Sequence, residues 1–211
     1  MKKLFFILSA FALLASCERE PDLDKLKYEY LVYTAYDDST KFAELPTYYI
    51  SDQIPVVSDS QDTTFLSNSI AEPILTAYIN GLDSLGYTMA TTKESADIGV
   101  QISYVRSTYL FTAYSTFPNY WWGGSGYWPW YWGGGWGGGC YHPFPITYSL
   151  TTNSFIAEMV QLNATKGTTA QLPVIWNCYM VAPTGSNAVN LDLVEEAVAR
   201  AFAQSPYLKI K

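Results

Sequence analysis

Apolar positions change period several times along the chain, and each change marks an element. Between Lys27 and Tyr36, Tyr28, Tyr30, Val32 and Thr34 alternate with Glu29, Leu31, Tyr33 and Ala35, an aromatic and β-branched run that predicts a first strand. Asp37, Asp38 and Ser39 supply a turn, and Pro46 to Ile50 predicts a second extended segment ahead of a polar loop through Asp62. From Leu66 the period lengthens. Leu66, Ile70, Ile74, Leu75, Tyr78, Ile79, Leu82 and Leu85 recur at three- and four-residue steps, the stripe of an amphipathic helix that Gly86 stops. Ser69 and Glu72 have capping-box spacing, with Pro73 one residue past its comfortable place in a first turn.

Beyond this helix, Tyr87 to Ala90 predicts a short strand. Ala96 to Val105 sets Ile98, Val100, Ile102 and Tyr104 against Gly99, Gln101 and Ser103, the alternation of a half-buried strand. Phe155 to Leu162 and Pro173 to Val181 predict an antiparallel pair across a turn at Lys166 to Thr169. A last helix runs from Leu191 to Gln204, capped by Asn190, with Asp192 complementing its dipole and Leu191, Val194, Val198, Ala201 and Phe202 on its buried stripe. Strands outnumber helices and connect mainly as neighbours. The predicted fold class is α+β: an antiparallel sheet with two amphipathic helices packed on one face, plus a Gly/Trp-rich irregular insertion.

The amino terminus adds an address. Lys2 and Lys3 precede an apolar run, Leu4 to Ala15, too short to span a bilayer and of the right length for a signal-peptide core. The run ends in Leu14-Ala15-Ser16-Cys17, which reads as a bacterial lipobox with cleavage between Ser16 and Cys17. Small side chains let a peptidase approach the backbone, and the thiol of Cys17 can carry a diacylglycerol thioether. Two or three acyl chains on one cysteine, at about 0.8 kcal/mol per buried methylene, make a durable anchor. The plain alternative is an ordinary secretory signal in which Cys17 is incidental. The predicted organisation is a lipoprotein signal peptide (1–16), a lipidated cysteine with an acidic tether (17–26), and a single α+β domain (27–211). The predicted location is the bacterial cell envelope, as an outer-membrane lipoprotein facing the periplasm or the surface.

Charge narrows the partners. The 211 residues carry a formal net charge of -7, and removal of Lys2 and Lys3 with the signal leaves ten basic against nineteen acidic residues, a net of -9. Nucleic acid is therefore excluded as an expected partner, and the membrane is met through the N-terminal lipid. Cys140 and Cys178 remain after Cys17 is accounted for; two free thiols and a disulfide are both open, since spacing sets no geometry for them.

Several landmarks carry a family resemblance. They are Asp37-Asp38 through Phe42, Leu45, Thr47 and Tyr48; Leu85-Gly86-Tyr87; Ala96-Asp97-Ile98-Gly99-Val100; a glycine- and aromatic-rich middle; Phe155 to Val160; Val174-Ile175-Trp176; and a closing helix that reaches Ser205-Pro206. In this order the chain resembles the domain of unknown function 4136 family of bacterial envelope lipoproteins. It departs from the family pattern in having Asn177 and Cys178 where a glycine usually follows the strand tryptophan. The resemblance implies an envelope lipoprotein with an α+β domain, of Bacteroidetes type given the acidic tether, and it transfers no active-site residues.

Tyr120 to Pro145 holds six of the seven tryptophans, Trp121, Trp122, Trp128, Trp130, Trp132 and Trp136, among runs of glycine. Glycine raises the entropy lost on ordering, while each indole gains from being covered. The segment is thus the candidate contact surface, toward an envelope protein, a lipid interface or a glycan whose rings stack on indole; a tolerated low-complexity surface loop is the bland reading. Chemistry is thinly represented. His142 is the only histidine, Cys140 and His142 find no second ligand cluster, and neither a nucleophile elbow nor a phosphate loop is present. No metal, cofactor or enzyme activity is expected. The expected role is non-catalytic, structural or interactive, with a glycan- or peptidoglycan-binding module as the alternative.

Overall fold

A computed structural model describes residues 29–57, 64–106, 110–113, 140–141, 146–149, 153–164, 172–183, 186 and 188–210. Among these the strands are β1 (Leu31–Tyr36), β2 (Thr47–Ile50), β3 (Pro55–Val57), β4 (Thr64–Phe65), β5 (Thr88–Met89), β6 (Ile98–Val105), β7 (Leu110–Ala113), β8 (Cys140–Tyr141), β9 (Ile146–Ser149), β10 (Ser154–Gln161) and β11 (Leu172–Val181). The α-helices among the described residues are α1 (Asn68–Ser84) and α2 (Leu191–Ala203). The fold class is α+β, as the periodicities predict.

The sheet is mixed where an antiparallel one was expected. Its spine runs β1-β11-β10-β6-β2-β5, antiparallel from β1 to β6. Both β2 and β3 pair parallel to β6, and β5 pairs parallel to β2. The reason is α1, which lies in the chain between β3 and β6. A strand returned by a helical crossover comes back parallel, and hydrophobic period carries no information about strand direction. The expected polar loop through Asp62 likewise contains β3, paired with β4, because Pro55–Val57 finds the free far half of β6 after β2 has used the near half.

Both helices pack on one side of the sheet. Ala71, Ile74, Leu75, Tyr78 and Leu82 of α1 and Val194, Ala197, Val198, Ala201 and Phe202 of α2 share a core with Ile98, Val100 and Ile102, with Phe155, Ala157 and Met159, and with Trp176, Cys178 and Met180. The Trp176 indole stacks on Phe202 at 6.0 Å between ring centroids, and its Nε1 donates to Ser205 Oγ at 3.0 Å. A bulge between Met159 and Val160 lets Val174 join Val160, Leu162 and Leu172 in a smaller apolar cluster.

The helix ends follow their local chemistry, with one correction. Ser67, not Ser69, takes the cap position of α1, and its side chain makes no capping bond, so Pro73 sits inside the helix and the Ser69–Glu72 box does not form. At the other end Gly86 adopts φ +97°; Gly86 N donates to Asp83 O at 3.0 Å and Tyr87 N to Leu82 O at 3.2 Å, the paired bonds of a left-handed glycine stop. Asn190 caps α2 as predicted, its Oδ1 accepting from Leu193 N at 3.3 Å.

One hairpin extends past the sheet. Val105 pairs with Ser154 at the end of β6 and β10, and Leu110, five residues on, pairs with Ser149, five residues back, so β7 and β9 continue the same register.

Candidate functional site

The residues that carry the family resemblance are joints. Asp97, just ahead of β6, accepts from Thr47 N at 3.1 Å and Thr47 Oγ1 at 2.6 Å through Oδ2, and from Asn163 Nδ2 at 2.9 Å through Oδ1. It thereby ties the start of β2 and the turn after β10 to one carboxylate. Asp37 accepts from Ser39 N and Oγ and from Thr40 Oγ1, closing the turn after β1. Tyr48 donates to Asp83 Oδ1 at 2.9 Å, fastening β2 to α1. Each acid is committed to donors of the scaffold, which accounts for its place in the sequence without a reaction.

The side of the sheet away from the helices is unlike the helix side. Alternation places Gln101 and Ser103 of β6, Ser154, Ile156 and Glu158 of β10, and Asn177 and Tyr179 of β11 there. Glu158 stands directly between Gln101 and Asn177 in the ladder, and Asn177 Nδ2 donates to Glu158 Oε1 at 3.4 Å. Gln101 Nε2 donates to Ile102 O at 2.9 Å. This polar row is sealed: Gln101 is 5%, Glu158 1% and Asn177 2% exposed. The half-buried β6 expected from its alternation is in fact buried on both faces. Burial on this side ends at β11. Tyr179 is buried, whereas Tyr33, stacked on it at 6.3 Å from edge strand β1, is 57% exposed.

A clasp fixes the root of the hairpin. Asn153, where the β6–β10 ladder stops, adopts φ 65°, a left-handed conformation that asparagine tolerates better than most side chains. Its Oδ1 accepts from Tyr104 OH, its carbonyl from Tyr30 OH at 3.1 Å, and its Nδ2 donates to Ser186 O at 2.7 Å. Burial raises the Tyr104 hydroxyl above its usual range, with Arg106 beside it pulling the other way.

Cys178 is a free thiol in the helix-side core. Burial pushes it up to about 12, a hydrogen bond with Tyr78 opposing the shift, which suits a packing residue better than a nucleophile. Among the described residues no group of three His, Cys, Asp or Glu side chains could hold a metal ion, and no helix is long and apolar enough to cross a membrane.

The residues singled out from sequence lie elsewhere. Ser16, Cys17, Trp121, Trp122, Trp128, Trp130, Trp132, Trp136 and His142 fall outside the described residues, as does the Lys166 to Thr169 turn. Around the tryptophan-rich segment, the flanking Ala113 and Ile146 pair with each other, and Cys140–Tyr141 within it pair parallel to Leu172–Pro173 at the start of β11. The polar row went unnoticed in the sequence. Glu158 alone among Phe155, Ile156, Ala157, Met159 and Val160 was the available signal, because a single acid in an apolar strand must be sheltered with polar neighbours.

Comparison with known proteins agrees with this architecture. A family model described as a domain of unknown function, DUF4136, matches residues 32–207. The crystal structure of a DUF4136 family protein from Bacteroides thetaiotaomicron is 49% identical, covers 87% of this chain and 99% of its own, and superposes with a TM-score of 0.74. A PDZ domain protein from Parabacteroides distasonis is similar at 13% identity, covering 88% of this chain and 38% of its own, with a TM-score of 0.44 too low to carry an argument. None of the curated proteins matches the chain. A family model spanning most of the residues, a close structural relative within the same family, and the placement of the shared landmarks at the joints of the fold make this chain a member of the DUF4136 family.

Proposed function

We propose that this chain is a lipid-anchored protein of the bacterial cell envelope, exported through its first sixteen residues and held at the outer membrane by Cys17. Its role in this reading is structural or interactive and non-catalytic, and Trp121, Trp122, Trp128, Trp130, Trp132 and Trp136 form its contact surface. The observation that supports the contact surface is the pairing of β7 with β9. Pairing of Ala113 with Ile146 brings together the two described strands that flank the tryptophan-rich segment in the chain. A relative from a bacterium at 49% identity supports the bacterial setting in which Leu14 to Cys17 reads as a lipobox.

In-cell photo-crosslinking from benzoylphenylalanine placed at Trp122, Trp130 or Trp136 tests the surface, with reproducible capture of one envelope protein as the expected result. Sugar adducts, together with quenching of tryptophan fluorescence by soluble peptidoglycan fragments, would replace this reading with a carbohydrate-binding module. The anchor has its own test. Palmitate labelling should vanish in Cys17→Ala, and a label that persists would remove Cys17 as the attachment point.

A further inference from the structure

We propose that the open edge of β1 is a docking site for an extended peptide strand, antiparallel to β1, whose amino-terminal end is cationic. β1 ends the spine of the sheet: it pairs with β11 on one side, and among the described residues no strand pairs with it on the other. Its last rung fixes which backbone groups are open. Asp37 N donates to Ile175 O at 3.0 Å, one step beyond the pairing of Tyr36 with Trp176, so the odd-numbered residues exchange bonds with β11 and the N–H and C=O groups of Val32, Thr34 and Tyr36 face outward. Tyr30, next in that outward series, shows that the edge accepts a donor: its carbonyl takes a bond from Arg200 Nη2 at 2.8 Å.

Native sheets commonly guard such an edge with a charge, a proline, a bulge or brevity. β5, at the opposite end of the spine, is two residues long. β1 has none of these guards: its six residues, Leu-Val-Tyr-Thr-Ala-Tyr, are uncharged and run in unbroken register with β11. Leu31 and Tyr33 are exposed on the face away from the helices, where Tyr33 stacks on Tyr179, so an added strand meets apolar side chains beside the open backbone groups.

Charge selects the occupant. Past Tyr36 stand Asp37 and the exposed Asp38, and the next cation in the chain, Lys41, is paired with Glu44. At the other end of β1, Arg200 is shared between Glu29 and Glu196, so among the described residues both ends of the edge are net negative. A second copy of this chain is a poor match. Pairing Tyr33 with Tyr33 of the copy sets Asp37 opposite Glu29 at both ends, and like charges directly opposite destabilise a strand pair. An incoming antiparallel strand brings its amino-terminal end to Asp37 and Asp38, where lysines complete the match. This site is separate from the tryptophan-rich segment and requires no lipid anchor.

The probe is a synthetic peptide, Lys-Lys-Thr-Val-Thr-Val-Thr-Val with a carboxy-terminal fluorescein, titrated with the purified full-length chain and followed by anisotropy. With its lysines against Asp38 and Asp37, its threonines oppose Tyr36, Thr34 and Val32 and its valines oppose Ala35, Tyr33 and Leu31. Saturable binding below about 1 mM is expected. N-methylation of the middle threonine, whose N–H meets the edge, should weaken it at least about tenfold, while N-methylation of the middle valine, whose N–H faces away, should be tolerated. Two glutamates in place of the lysines should also cost about tenfold, a difference that Asp38→Lys should shrink at least about threefold. No saturable binding, equal loss from methylation at the two positions, equal affinity for the lysine and glutamate peptides, or a preference that Asp38→Lys leaves unchanged would each overturn the proposal. So would a full-length chain that sediments as a dimer and becomes a monomer in Tyr33→Lys, because the edge would then belong to a second copy.

Discussion

The ring of Phe202 on α2 occupies the space that a side chain at Gly81 on α1 would need. A β-carbon built at Gly81 overlaps the edge of the ring, which is itself held by its stack on Trp176. The absence of one methyl group is thus what lets the two helices meet over the centre of the sheet. Gly81→Ala has a better helix former in an α-helix and should still destabilise, by about 1–3 kcal/mol, as overpacking of a fixed ring does. Chemical unfolding checks this. A variant as stable as the parent would mean that Phe202 has another place to go.

Asp97 is expected to be the most sensitive of the acids. Asp97→Ala strands the donors Thr47 N, Thr47 Oγ1 and Asn163 Nδ2 at once, and should cost about 2–3 kcal/mol, the scale of hydrogen bonds to a charged group. Glu44→Ala, in an exposed pair with Lys41, serves as the control and should be nearly neutral. Comparable losses in the two variants would contradict the assignment of Asp97 as a joint.

At Asn153 backbone and side chain can be separated. Asn153→Gly keeps the left-handed conformation and loses the side-chain bonds, while Asn153→Ala loses both, so alanine should be the less stable by about 1 kcal/mol. Thermal or urea midpoints in the reverse order would show that the positive φ is not maintained.

Stability should fail toward alkaline pH. Burial is the foremost cause raising Tyr30, Tyr48, Tyr78, Tyr87 and Tyr104 above 10.0, with Asp83 adding at Tyr48, and it raises Cys178 from 9.0 to about 12. In each case the folded state holds its proton longer than the unfolded chain does. The contribution is therefore full below about pH 9 and is lost as pH climbs past the unfolded values toward the folded ones. Urea unfolding should give a clearly lower midpoint at about pH 11 than at about pH 8. An unchanged midpoint would mean that these hydroxyls ionise without unfolding.

Much of the local structure was readable from residue order. The three- and four-residue steps from Ile70 to Leu82 placed α1, Gly86 placed its end, and Asn190 placed the start of α2, because caps and amphipathic stripes are decided within a few residues. The failures share a different origin. Ser69 and Glu72 have the spacing of a cap and do not form one, since Leu66 and Ser67 are drawn into place by the bond from Leu66 N to Ile54 O. The candidate contact residues were legible only as composition, a concentration of indole and glycine, whereas Glu158 needed its partners on two other strands before it meant anything.

The sequence by itself determined the two helices with Gly86 and Asn190 at their ends, the longer strands and the family, because each depends on side chains close in the chain or on motifs kept in order. Only the tertiary structure decided that β2 and β3 run parallel to β6, and that a buried polar row of Gln101, Glu158 and Asn177 lies on the face away from the helices. Those depend on which free edge and which uncovered face remain when distant segments meet, and hydrophobic period along one strand records how often a side chain is buried, not what buries it.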